Sequence, residues 1–306
     1  MLVALAGGVG AARMLRGLAA VVAPSQITAV VNTGDDIVLH GLHVSPDLDT
    51  VTYTLAGAVN PDTGWGLVGE TWAAMEALER YRGATWFRLG DRDLATHLYR
   101  TQRLRDGASL STVADEVARA WGLAIGMVPM SDDRVETRVT IEGEGEVGFQ
   151  EYFVARRHAE PVEAVRFAGV ESARPAPGVL SAVAEAERVV VCPSNPIVSI
   201  GPILAVPGVR EAVAARRSDV VAVSPIVAGA ALKGPADRMM AELGHEPSVV
   251  GVARLYAEFA STLVVDEADA ALAGEVEAAG MRCVVAPTVM RTAADAAALA
   301  RTVLSC

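Results

Sequence analysis

Four carboxylates crowd one stretch of the 306-residue chain: Asp35, Asp36, Asp47 and Asp49 all lie between Asn32 and Thr50. An apolar, strand-like run from Ile27 to Val31 precedes them. A helix start follows, with Ser45 as N-cap, Pro46 at the first helical position and acids in the first turn. Acids this close repel one another unless solvent, hydrogen-bond donors or a cation offset the charge. A hard cation such as Mg2+, held by one or two carboxylates and a substrate phosphate, would use them directly. A plainer reading stays open: Asp47 and Asp49 would each favour the helix dipole by ~0.3–1 kcal/mol, and Gly34-Asp35 would be a simple turn.

A second chemical signal lies at the N-terminus. Leu2 to Ala6 reads as a strand, and Gly7-Gly8-Val9-Gly10-Ala11-Ala12-Arg13 turns from it into a helix reaching about Val22. Strand, glycine turn and helix N-terminus present backbone N–H groups to phosphate, and the Arg13 guanidinium can grip phosphate bidentately. A tight turn without a ligand is the alternative. The spacing is not a dinucleotide fingerprint, because from Gly8 it gives Gly-x-Gly-x-x-Arg and the second strand ends in Asn32 rather than in a ribose-binding acid. Farther on, Pro193 to Pro202 is a loop rich in small donors between an apolar strand and a helix. Arg88 stands out in Thr85 to Leu89, otherwise apolar and read as a strand, whereas Asp93 fits a solvated helix start. The histidines make no metal set: His40 and His43 flank a glycine loop, and His97, His158 and His245 are scattered. The loop Ala228 to Ala231 before Lys233 is too bland for a nucleotide clamp.

The elements that must carry these residues alternate as in an α/β protein. Hydrophobic residues make up 52% of the chain, rich in Ala and Val as buried parallel strands require. Helices are expected from Ser45 to Gly57, from about Trp72 to Tyr81, from Gly90-Asp91 to Arg105, and from a Ser111 cap to Trp121. Val135 to Ile141 and Val147 to Ala155, around the turn Glu142 to Gly145, predict a β-hairpin. With Val162 to Phe167 it forms a small antiparallel insertion over about 130–170. Strands at 188–192, 220–223, 262–265 and 282–285 then resume the alternation. The expectation is a single α/β domain over 1–306, a doubly wound, mostly parallel Rossmann-like sheet with its ligand loops at the strand C-terminal edges. A net charge of −11 argues against broad nucleic-acid binding, while a few arginines and amides can still hold a small anion. No apolar run reaches the ~18–20 residues of a membrane span. The N-terminus lacks the basic region of a signal peptide, and three cysteines without metal or redox spacing argue against a disulfide framework. A cytoplasmic protein is the default expectation.

Taken together, the motifs resemble the 2-phospho-L-lactate transferase family of deazaflavin coenzyme biosynthesis. The residues that carry the resemblance are Gly7-Gly8-Val9-Gly10, Asn32-Thr-Gly-Asp-Asp36, Ser45-Pro-Asp-Leu-Asp-Thr50 and Leu89-Gly-Asp-Arg-Asp-Leu-Ala-Thr-His97. They continue with Met130-Ser-Asp-Asp133, Phe149-Gln-Glu-Tyr152, Ser194-Asn-Pro-Ile-Val-Ser-Ile-Gly-Pro202 and Val223-Ser-Pro-Ile226. The resemblance implies transfer of a phospho-three-carbon-acid group, lactyl or enolpyruvyl, from a GMP-activated diphosphate donor. The acceptor would be the ribityl hydroxyl of 8-hydroxy-5-deazariboflavin, with release of GMP, in coenzyme F-420 biosynthesis. It also implies roles for the residues. Asp36 and Asp49, with Asp35, would hold Mg2+. Asp49 would act on the attacking hydroxyl, and Asp49 and Arg88 would lie at the deazaflavin. Gly7, Gly8, Gly10, Arg13, Ser194, Asn195, Ser199 and Gly201 would bind the phosphates and guanosine. A homodimer is a family expectation. The chain ends without a glutamate-ligating domain, so the product expected is the unglutamylated coenzyme. Two rivals compete: a non-catalytic nucleotide-sugar or dinucleotide-binding regulator of the same fold, and an NAD-dependent oxidoreductase. The clustered acids speak against the first and the missing third glycine against the second.

Overall fold

Seven short apolar segments pair side by side in the computed structural model, which describes all 306 residues. They are β1 (Leu2–Ala6), β2 (Ile27–Val31), β3 (Gly126–Pro129), β4 (Arg188–Val191), β5 (Val220–Val223), β6 (Thr262–Val265) and β7 (Arg282–Val285). Every neighbouring pair is parallel, and the spatial order is β7-β6-β5-β4-β1-β2-β3. The order reverses between β1 and β4, where Leu2 pairs with Arg188 and Leu5 with Val191. Beyond the carboxyl ends of such a pair, a doubly wound sheet leaves a crevice for ligands.

Helices bury both faces, which is why the strands lack polar alternation. On one face Val3, Leu5, Val30, Val189 and Val191 pack with Ile203, Val209, Val252 and Tyr256. On the other, Leu2, Ala4, Ala29 and Val31 meet Met14, Leu15 and Leu18 of α1 (Gly8–Val21), Val51 of α2 (Pro46–Leu55) and Leu299 of the C-terminal helix Ala293–Ser305. Between β3 and β4 stands a separate antiparallel sheet in the order Gly145–Gly148, Glu136–Ile141, Val162–Ala168. Along its middle strand Thr137, Val139 and Ile141 are buried in alternation. Val139 and Ile141 pack with Phe149, Tyr152, Val198 and Met239.

Several local expectations need correction. Thr85 to Leu89 is not a strand: it pairs with no other strand, and its Trp86, Phe87 and Leu89 pack by their side chains in a satellite cluster with Leu39, Val44 and Met75. The preceding helix is only α3 (Ala73–Glu79), and the next is α4 (Asp93–Arg105). Ser109 rather than Ser111 caps α5 (Leu110–Ala120), because Asp132 takes the Ser111 amide at 2.6 Å and its hydroxyl at 2.9 Å. The second hairpin arm stops at Gly148, and Glu151–Ala155 winds into a wide π-type turn. Within the carboxylate-rich stretch, Ile37–Leu39 and Leu42–Val44 form an unforeseen hairpin. Its turn, His40-Gly41, takes positive φ of 53° and 76°, as two-residue hairpin turns require. No helix is long and apolar enough to cross a membrane.

Where α1 crosses the C-terminal helix, an added Cβ on Gly17 would stand 2.2 Å from the Ala296 carbonyl oxygen. Helix propensity alone favours Gly17→Ala by ~1 kcal/mol. Overpacking against backbone is expected to reverse that sign, with a net loss of about 1–3 kcal/mol in denaturant unfolding. A stabilised variant would mean that the two helices do not meet this closely.

Candidate active site

A cavity of about 530 Å3 opens at the reversal point. Its floor is the glycine turn. Gly7 precedes α1 and Gly8 has φ of +74°, while a Cβ on Gly10 would lie 2.2 Å from the Pro193 carbonyl oxygen, so the loops after β1 and β4 touch backbone to backbone. Ser194 stitches them: its Oγ donates to Gly7 O at 2.8 Å and accepts from Gly7 N at 3.3 Å. Asn195 Oδ1 accepts from Ile197 N at 2.9 Å and Val198 N at 3.3 Å, which fixes the turn that carries Ser199. Gly7, Gly8, Gly10, Arg13, Ser194, Asn195 and Ser199 all line the cavity. Gly201 does not, and its Cα faces Phe167 of the inserted sheet.

Asn32, at the tip of β2, organises the acids. Its Nδ2 donates to Asp47 Oδ2 at 2.9 Å, and its Oδ1 accepts from Gly34 N at 2.9 Å. Asp35 and Asp47 are buried, and Asp47 Oδ2 would be 2.9 Å from a Cβ on Gly7, so this carboxyl faces the glycine turn. Burial, and then the neighbouring Asp47 and Asp36, push Asp35 well above the usual carboxylate range. Burial pushes Asp47 up to about 7, with Asp36 adding to the rise and Asn32 and the Gly8 amide opposing it. Asp36 lies behind this pair and does not line the cavity. Its Oδ2 accepts from Ser45 Oγ at 2.6 Å and sits 2.8 Å from His43 Nε2, so Ser45 serves Asp36 instead of capping α2 with its side chain. Asp35 Oδ1 and Asp36 Oδ1 are buried without any partner. Buried carboxyl oxygens left without a partner are what a hard cation would satisfy.

Asp49, two residues beyond Asp47 and therefore on another side of α2, meets α4 instead. Arg100, 3% exposed, clamps it with two bonds, Nη1 to Oδ2 at 3.1 Å and Nη2 to Oδ1. Burial pushes Asp49 up, against the pull of Arg100 and His97. His97 Nδ1 is 3.7 Å from Asp49 Oδ2, and its Nε2 is 3.2 Å from Asp93 Oδ2. Tyr53 OH donates to Asp93 Oδ1 at 2.6 Å. Burial works against the Asp93 carboxylate, but His97 and Tyr53 outweigh it and hold this group below its usual range. Ligand atoms of Asp49, Asp93 and His97 lie within 4.8 Å of one another, a second grouping able to hold a metal ion. Arg88 is exposed at the rim, its guanidinium 4.4 Å over the Trp72 ring, with Trp65 and Phe87 also lining the cavity.

Sequence reasoning missed Tyr53, Asp93, His97 and Lys233, all of which line the cavity, and the Arg100 clamp behind it. For α4 the signal was present: residues 93, 97 and 100 follow the i, i+4, i+7 spacing of one helix face. The aromatic wall of Phe149 and Phe153 comes from the insertion, and no local pattern told which way it turns.

Comparison with known proteins agrees with this geometry. A family model described as 2-phospho-L-lactate transferase CofD matches residues 2–295. A protein named phosphoenolpyruvate transferase from Kitasatospora aureofaciens is 49% identical over 310 residues, covering 99% of this chain and 97% of that one. One of the same name from Thermobifida fusca is 47% identical over 282 residues, covering 88% and 87%. A crystal structure of a Bacillus halodurans protein superposes with a TM-score of 0.62 over 99% of this chain and 98% of that one; at 16% identity it speaks for the fold alone. A glycine turn and buried acids at the reversal of a doubly wound sheet thus sit in a chain that matches one family model almost from end to end: the protein belongs to the CofD family of 2-phospho-L-lactate transferases.

Proposed function

We propose that the protein transfers a phospho-three-carbon-acid group from a GMP-activated diphosphate donor to the ribityl hydroxyl of 8-hydroxy-5-deazariboflavin, forming the phosphodiester core of coenzyme F-420. Enolpyruvate is preferred to lactate as the three-carbon acid, a choice supported by the name shared by relatives 47–49% identical to this chain. The observation that carries the reading is the contact between the phosphate-type glycine turn and the buried Asp47, with Asp35 beside it. An acid placed there would repel a phosphate unless a cation stood between them.

In this reaction the ribityl oxygen attacks the phosphorus that bears the three-carbon acid, its proton goes to a base, and the P–O bond to GMP breaks. Such chemistry is mostly positioning and charge stabilisation. The N-terminal turn of α1, beyond the Gly7 and Gly8 amides that Ser194 and Asp47 hold, binds phosphate together with Arg13, and the Ser194 to Ser199 loop borders the nucleotide. Asp35 and Asp47 would hold Mg2+, with Asp36 adding charge from behind; the ion would supply neutralisation of the diphosphate. Asp49, held by Arg100 on a different side of α2 from Asp47, is assigned to the hydroxyl. It orients or deprotonates the acceptor, and Arg88 with the rim aromatics borders the deazaflavin.

The test is a transfer assay with Mg2+, the fluorescent deazariboflavin acceptor, and donor made in place from GTP and phosphoenolpyruvate or phospholactate. A more acidic fluorescent product that disappears with EDTA is expected; acceptor binding without transfer would mean a different donor, and no acceptor binding would favour the non-catalytic nucleotide-binding relative. Asp49→Asn should slow transfer at least about 100-fold, the scale of a lost general base. The folded fraction must be checked in parallel, because an unpaired buried Arg100 costs several kcal/mol; near-normal transfer would remove Asp49 from the mechanism. A third outcome concerns pH. Asp35 and Asp47 bind protons more tightly in the fold than in the unfolded chain. Without an ion, stability should therefore fall as pH rises from the ordinary carboxylate range, ~4, toward about 7. In EDTA the urea midpoint should be lower at pH 8 than at pH 5, and Mg2+ should restore it. An identical pH trend with and without Mg2+ would place the ion elsewhere.

A further inference from the structure

Of the 26 lysine and arginine residues, Lys233 is the lone lysine. It stands at the cavity, in the loop between β5 and the helix Ala236–Glu242. Its Nζ reaches across the cavity mouth and donates to Thr63 O at 3.0 Å. The slot it occupies is narrow: a Cβ on Gly64 would be 3.0 Å from that Nζ and 3.2 Å from Val9 Cγ1. The ammonium therefore hangs close to Val9, in the middle of the Gly7 to Gly10 turn. Arg13, on the first turns of α1, lines the same cavity, and its Nη1 donates to Met290 O at 3.1 Å. Although Lys233 as a residue is exposed, partial desolvation and then the charge of Arg13 lower its proton affinity, so the two cations feel each other. Both spend their hydrogen bonds on backbone carbonyls, whereas surface arginines such as Arg103, Arg119 and Arg156 sit on carboxylates. Two cations that line one cavity and pair with no carboxylate, in a chain of net charge −11, make a place for an anion.

We propose that Lys233 binds the diphosphate of the nucleotide donor, as the second cation of a clamp whose first is Arg13, and leaves the Thr63 carbonyl to do so; this rests on the transferase reading above. The loop dismissed as bland in the sequence thereby becomes a wall of the donor site, and the Thr63–Lys233 bond is its resting state.

A lone lysine makes the test direct. Reductive methylation with 13C-formaldehyde labels Lys233 and the α-amino group of Met1, which is tied to Glu187 Oε1 at 3.0 Å on the amino side of the sheet and serves as the internal control. Added GDP should move the Lys233 signal and leave the Met1 signal in place, while guanosine should move neither. By calorimetry, Lys233→Met should weaken GDP by about 10-fold or more, as loss of a charge-assisted hydrogen bond does, with part of the loss recovered in Lys233→Arg. Acceptor affinity, read by fluorescence, should not change. Unchanged GDP affinity in Lys233→Met overturns the assignment and leaves the transferase reading standing. An equal loss of GDP and acceptor affinity also overturns it, since Lys233 would then only hold the Thr63 loop. Absence of GDP binding to the wild type overturns both readings.

Discussion

Like charges buried together must be neutralised by something, and the way this chain handles its acids shapes the whole site. Asp47 and Asp49 lie two residues apart on α2, so they point to different sides of it. Asp49 finds its countercharge within the fold, in the buried guanidinium of Arg100. Asp35 and Asp47 find only neutral groups, the Asn32 amide, the Thr137 hydroxyl and the Gly8 backbone, which leaves their carboxyls pushed up and one oxygen of Asp35 without a partner. The first arrangement is closed and the second is open to a ligand. Removing either partner of the closed pair would strand a buried charge, whereas the open pair is relieved by binding.

The sheet order decides where that open pair sits. Because β1 and β4 are neighbours, the loops that follow them diverge to opposite sides and the crevice forms between them. Their first residues nevertheless meet, through Gly10 against Pro193 and the double bond of Ser194 to Gly7. This contact holds the α1 N-terminus at a fixed distance from the acids on α2. The inserted antiparallel sheet rises from the carboxyl end of β3 and turns Phe149, Gln150 and Phe153 toward the same cavity. Phe149 and Phe153 stack with centroids 5.5 Å apart and rings 9° from parallel, so they make one continuous aromatic wall. The insertion is thus part of the site and not an appendage to the sheet.

Membership of the CofD family sets the class of chemistry as transferase, and the geometry divides the labour. Backbone amides and cations gather at the glycine turn, acids stand opposite them, and the Asp49 network faces the aromatic rim.

The sequence by itself determined the sheet, because strands buried on both faces must be uninterrupted apolar runs and helices between them must show a 3.6 period. It also revealed the glycine turn, the four clustered acids and the antiparallel insertion, since each is a local pattern. It misread Thr85 to Leu89, whose apolar β-type residues pack on Leu39, Val44 and Met75 without pairing to a strand, and that is a property of the neighbours and not of the segment. Only the tertiary structure decided which acid has a partner. Arg100 is 51 residues from Asp49 in sequence, and Lys233 reaches a carbonyl 170 residues away. Charge compensation acts through space at a few ångströms, so no spacing along the chain encodes it. For the same reason Asp36 ended up behind the cavity and Asp47 in it: three-dimensional packing decides which carboxylates reach the ligand.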